Sequence, residues 1–172
     1  MTTDAGAPGP RRADETGPRP WLTLDDIVVG SRFNGFGRTI SEGEISLLTG
    51  LTTGFHQPLH CDAEWVRANT SFAGPLLPGA VIVAYAIGLI SATLVYSRLT
   101  LAALGMDRVR ARRPVMAGDT IRASATVASS RPTQEGDKGV VVLEVVVSNQ
   151  RDETVLTFDY TLLMRARAVG GA

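Results

Sequence analysis

The chain has 172 residues, and its 17 lysines and arginines are balanced by 17 aspartates and glutamates. Zero net charge argues against a nucleic-acid partner, because phosphate neutralisation supplies much of the affinity of such modules. A composition of 44% hydrophobic and 20% charged residues argues against global disorder. One cysteine, Cys61, excludes an intrachain disulfide and a cysteine-based zinc cluster and fits a cytoplasmic protein.

Residues 1–20 are rich in Pro and Gly, show no apolar periodicity and read as a disordered leader, with no signal-peptide core after Met1. Trp21 opens a single domain expected to run to residue 167, followed by a tail over 168–172. A short strand or turn is expected over Asp26–Phe33, and a second extended piece over Arg38–Ile40. Ser41-Glu42-Gly43-Glu44 has the form of a capping box, and Ile45, Leu48 and Leu51 follow at helical spacing. This helix should end near Gly50–Gly54. Thr52–Cys61 reads as irregular and holds Pro58 and both histidines of the chain, His56 and His60. Asp62 can cap a second short helix over Ala63–Asn69.

Between Arg67 and Arg98 lie 30 residues without a charge. Pro75, Pro78 and Gly79 interrupt the first part. Ala80–Tyr96 reads as one apolar helix, too short and too poorly flanked for a membrane span, so burial inside the protein is expected. Four strands should follow, at Asp107–Arg113, Ile121–Val127, Gly139–Val147 and Leu156–Met164, by alternation and β-branched content. Gly118-Asp119 marks a turn, and Asn149–Glu153 a hairpin loop. Helices do not alternate with strands, so the fold class is α+β, with a curled antiparallel sheet around the central apolar helix.

The densest functional segment is Gly54-Phe55-His56-Gln57-Pro58-Leu59-His60-Cys61-Asp62. His60 suits general acid–base work near neutrality, and Pro58 stiffens its backbone. Gly79 should sit at the N-terminus of the long helix, where unpaired N–H groups can polarise a carbonyl. Cys61 neighbours His60, but adjacent side chains on an extended segment point apart. A packing or rim role is the default for His56, a bracing role for Gln57 and a solvated face for Arg108, Arg110, Arg112 and Arg113. No metal site is expected.

These residues identify a resemblance. The chain resembles the MaoC-like dehydratases, or R-specific enoyl-CoA hydratases, of hot-dog fold, over about Leu22 to Arg167. In the first half it rests on Thr53-Gly54-x-x-x-Pro58-Leu59-His60-x-Asp62, Trp65, Phe72-x-Gly74 and Pro78-Gly79. In the second half it rests on Val109-x-x-x-x-Pro114-Val115-x-x-Gly118-Asp119-Thr120-Ile121, the valine strand, Asn149-Gln150 and the closing strand. The resemblance implies hydration of a trans-2-enoyl thioester, or the reverse dehydration, on coenzyme A or an acyl carrier protein. No further cofactor is implied. It also implies a homodimer, with a heterodimer of paralogues as the alternative. His60 matches the family's catalytic histidine, Gly79 the glycine whose N–H binds the thioester oxygen, and Gln57 the asparagine of a D-x-N-P-x-H motif.

The chain departs from that motif in two places. Phe55 stands where the family has its catalytic aspartate, and Pro78 stands where a histidine often precedes the helix glycine. No acid lies between Glu44 and Asp62. Three readings follow. His60 works with another partner, such as His56 or a group from elsewhere in the fold. Alternatively, the site does related chemistry such as isomerisation, addition of another nucleophile or ring closure. Or the chain is a non-catalytic subunit of a heteromeric dehydratase.

Overall fold

The computed structural model describes residues 19–52 and 57–167. The expected leader up to residue 18, the tail from 168, and Phe55 and His56 lie outside the described residues. After a short 3-10 turn at Leu24–Asp26 come β1 (Arg32–Thr39), α1 (Glu42–Leu51), α2 (Pro58–Cys61), α3 (Ala63–Asn69) and α4 (Gly79–Ser91). Then follow β2 (Thr100–Ala111), β3 (Thr120–Pro132), β4 (Lys138–Ser148) and β5 (Thr154–Arg165). The strands form one antiparallel sheet in the order β1-β3-β4-β5-β2.

Period-two patterning explains the layer arrangement. Ile121, Ala123, Ala125 and Val127 of β3 are buried, as are Val141, Leu143, Val145 and Val147 of β4 and Phe158, Tyr160, Leu162 and Met164 of β5. Alternate residues of a strand share a face. The register pairs Ala125 with Val145, and Val145 with Phe158, so the three strands offer one continuous apolar surface. Against it lie Val81, Ile82, Val83, Ala86 and Ile90 of α4, in the same core cluster. This is the hot-dog arrangement expected from the sequence. Among the described residues no helix is long and apolar enough to cross a membrane.

Three local expectations are corrected. The apolar helix stops at Ser91, not Tyr96. Leu94 takes a left-handed φ of 60°, which no α-helix accommodates. The Thr93 hydroxyl bonds the Ile90 carbonyl at 2.6 Å and Tyr96 OH meets Ser91 Oγ at 2.6 Å, so side chains compete with the helical ladder. The two extended pieces before α1 are one strand, β1, with a register shift between Asn34 and Gly37. A Cβ at Gly35 would sit 2.6 Å from the Leu89 carbonyl oxygen, so only glycine lets β1 approach α4 this closely. Finally, β2 starts seven residues before the expected Asp107, and its register slips between Asp107 and Arg110. Arg108, with φ 52°, pairs with Asp159 at 2.6 Å and Glu144 at 3.5 Å, and still lines one surface hollow with Arg110 and Arg112.

The capping box forms as the sequence suggests. Glu44 N–H donates to Ser41 Oγ at 3.2 Å, and Ser41 N–H to Glu44 Oε2 at 2.9 Å. The same carboxylate accepts from Tyr85 OH of α4 at 2.7 Å and pairs with Arg38 of β1, joining three elements. The Tyr85 hydroxyl, then Arg38, then the Ser41 N–H hold the Glu44 carboxyl down to about 2 from its ordinary 4.5. Folding lowers this pKa, so its stabilisation is complete above about pH 4.5 and is lost as the pH falls toward about 2. Thermal melting across that window should therefore fall more steeply for the wild type than for Tyr85→Phe. Parallel curves would remove Glu44 from the acid sensitivity.

Candidate active site

Pro58 opens α2 at a position where its missing N–H costs nothing. The turn closes through His60 N–H to the Gln57 carbonyl at 2.9 Å and Asp62 N–H to the Pro58 carbonyl at 2.9 Å. Two bonds clamp it to the loop before α4. Leu76 N–H donates to the Leu59 carbonyl at 3.1 Å, and His60 Nδ1 lies 2.8 Å from the Leu76 carbonyl oxygen. A carbonyl only accepts, so Nδ1 carries the hydrogen. In the neutral ring Nε2 is then a lone-pair nitrogen. Leu76 also bridges to Met116, and Leu77 N–H donates to the Val115 carbonyl at 2.8 Å. The histidine is thus mounted on a rigid backbone frame.

The half-buried His60 lines a cleft of about 380 Å³ between α1, α2, α3 and the segments 73–75 and 116–117. Glu42 and Arg67, both exposed, line it as well. Neither stood out in the sequence, since each joins the cleft only through the fold. Cys61 lines the same cleft, on a helical turn where the sequence suggested an extended segment. Successive side chains on such a turn diverge by about 100°, and the thiol donates to the Gln57 carbonyl at 3.3 Å. Gln57 is the exposed cap residue of α2 and uses its carbonyl, not its amide, in these contacts.

The neighbouring acids have structural tasks. Asp62 accepts from Trp65 N–H at 2.8 Å and caps α3, as the sequence implies. Asp119 accepts from Met116 N–H at 3.0 Å and Gln150 Nε2 at 2.8 Å, while Gln150 Oε1 accepts from Thr120 N–H at 3.0 Å. That bracket explains why Gly118-Asp119 and Asn149-Gln150 occur together. Arg113 is paired with Glu153 at 3.5 Å. Among the described residues no group of three His, Cys, Asp or Glu is placed to hold a metal ion.

Pro78 caps α4, and its carbonyl accepts from Val81 N–H at 2.9 Å and Ile82 N–H at 3.1 Å. Gly79, the first helical residue, lies three positions after the carbonyl that orients His60, is exposed, and does not line the His60 cleft. Its N–H is one of those left without an intrahelical acceptor. A Cβ there would touch nothing within 4 Å, and its φ is not left-handed. The fold itself therefore does not require glycine at this position. Gly79→Ala should melt at or slightly above the wild-type temperature, yet lose enoyl-thioester turnover if a substrate carbonyl approaches this N–H. Unchanged turnover would detach Gly79 from the site.

Comparison with known proteins bears on the family and the fold. The MaoC like domain family matches residues 30–149. A mesaconyl-CoA hydratase from Cereibacter sphaeroides is 31% identical over 130 residues, 76% of this chain, and the chain spans 37% of that relative's length. A structure described as a monoamine oxidase regulatory protein from Archaeoglobus fulgidus is 34% identical, with a TM-score of 0.78 over 87% of this chain and 98% of that one. An unliganded (R)-hydratase from Pseudomonas aeruginosa shares the fold at 22% identity, with a TM-score of 0.66 over 88% of this chain and 92% of that one. With its family match covering most of the fold just described, the chain belongs to the MaoC-like domain family.

Proposed function

We propose that the chain is an enoyl-thioester hydratase, or in reverse a (R)-3-hydroxyacyl-thioester dehydratase, acting on an acyl group carried by coenzyme A or an acyl carrier protein. The observation that carries this reading is the His60 imidazole held through Nδ1 by the Leu76 carbonyl, with Nε2 left as a base. The Leu76 carbonyl lies three residues before Gly79 at the open N-terminus of α4, which supports a role for Gly79 N–H in polarising the thioester carbonyl. Hydration of a coenzyme A thioester is also the activity in the name of the Cereibacter relative. Water is the only co-reactant, so the reaction calls for no metal or redox cofactor. The test is purified protein with crotonyl-CoA, longer enoyl-CoA esters and carrier-bound enoyl groups, followed by loss of enoyl absorbance. Inactivity on every substrate would overturn the proposal. Phe55 in place of the motif's carboxylate favours a second reading, a non-catalytic partner of a competent paralogue.

The working form is a homodimer. β2 is a 12-residue edge strand exposing Leu101, Leu104, Met106 and Val109, a surface that invites a further strand. On α4, Ala80, Ala84 and Gly88 are exposed at i, i+4, i+8. Gly88 has open space around it, although glycine inside a helix costs about 1 kcal/mol relative to alanine. A close external surface would account for it. Light scattering should give a dimer, and a Leu104→Arg, Met106→Arg double variant a folded monomer. A monomeric wild type would refute the assembly.

A further inference from the structure

We propose that Glu42 supplies the catalytic carboxylate that the sequence motif lacks. Glu42 can have this role only if the cleft hydrates enoyl thioesters, as proposed above. Elimination points to it first. Glu44 is consumed by Ser41, Arg38 and Tyr85, Asp62 by the cap of α3, and Asp119 by Met116 and Gln150. Among the described residues, Glu42 is the carboxylate that lines the His60 cleft, and it has no hydrogen-bond or ion-pair partner there.

The backbone that carries Glu42 is anchored through the fold. Gly118 N–H donates to the Ile40 carbonyl and Ile40 N–H to the Asp119 carbonyl, both at 2.8 Å. These bonds fix the backbone just before the Ser41 cap, and Glu42 is the next residue. On the other side, Leu76 bridges to Met116 and holds His60. The 115–119 turn therefore carries the two groups on its two flanks, with Met116 and Ala117 lining the cleft between them. Ile45, 3% exposed, anchors the same face of α1 one turn on.

The chemistry balances without a second base. The Glu42 carboxylate accepts a hydrogen bond from one O–H of the attacking water and aims it. His60 Nε2 removes the other proton as the water oxygen bonds to the β-carbon of the enoyl thioester. The π pair moves to the α-carbon, giving an enolate, and the imidazolium returns its proton to that carbon. The O–H oriented by Glu42 remains in the product hydroxyl.

The experiment compares the wild type with Glu42→Ala, Glu42→Asp and, as a control off the cleft, Glu64→Gln. It reads enoyl-CoA hydration, binding of the saturated analogue butyryl-CoA and thermal melting. Glu42→Ala should lose about 10²-fold or more in kcat, with KM, butyryl-CoA binding and melting close to wild type. Glu42→Asp should recover part of the rate, and Glu64→Gln should be unaffected. If Glu42→Ala hydrates as fast as the wild type, the assignment fails and the hydratase reading stands. If the wild type binds butyryl-CoA but hydrates nothing, the hydratase reading itself fails and the assignment falls with it.

Discussion

Replacing His60 with alanine is expected to lower kcat for enoyl hydration by about 10²–10⁴-fold, the usual contribution of a positioned general acid–base group. Stability should barely change. The imidazole is only half buried, and its one side-chain hydrogen bond among the described residues is that from Nδ1 to Leu76 O. Losing a single such bond costs about 1 kcal/mol. The clamp between Leu76 N–H and Leu59 O is backbone and survives the substitution. His60→Gln separates two parts of the role. Its amide can still donate to Leu76 O but offers no titrating nitrogen, so it should be as inactive as alanine. If His60→Gln keeps wild-type turnover, the histidine acts as a brace and proton transfer belongs elsewhere.

The largest effect on stability is expected from Phe158→Ala. Phe158 is 2% exposed on β5, opposite Val145 of β4, with its ring 6.4 Å from that of Tyr160. It heads the fully buried side chains by volume. β5 lies between β4 and β2, and hydrogen-bonded strands on both sides leave little room for the backbone to close over a void. A Phe→Ala change in a core of this kind costs about 3–5 kcal/mol. For a domain of this size that corresponds to about 6–20 °C in melting temperature. Calorimetry or denaturant titration would check it. A drop of only a degree or two would mean that the sheet collapses over the cavity.

The fold was legible where one period repeats. β4 alternates buried and outward residues throughout, β3 does so apart from the buried Ser124 and β5 after Val155, and the Ser41–Glu44 box announces α1. It was less legible where a tertiary contact decides. Nothing in the apolar run to Tyr96 signals that Ser91 and Tyr96 will bond each other and end the helix. No local pattern foretells that Arg108 will pair with Asp159. The site divides in the same way. His60 and Gly79 belong to motifs that are contiguous in sequence. Their supports are not contiguous: the Leu76 carbonyl lies 16 positions after the histidine it orients. Glu42, which precedes His60 by a whole helix, reaches the cleft only because Ile40 is bonded to Gly118 and Asp119. Periodicity reports which face is buried, but it carries no information about what crosses between segments.

The bracket of Asp119, Gln150, Met116 and Thr120 has a bearing on how such chains can be recombined. Residues 116–120 and the 149–153 hairpin share their polar groups across the sheet end, and Asn149, 2% exposed, locks the hairpin through Arg151 and Glu153. A chimera whose crossover falls between these two segments inherits half of the bracket from each parent. It would loosen the turn on which both flanks of the cleft hang, even if every cleft residue were retained. Transplants between relatives should therefore move the two segments together, as one cassette.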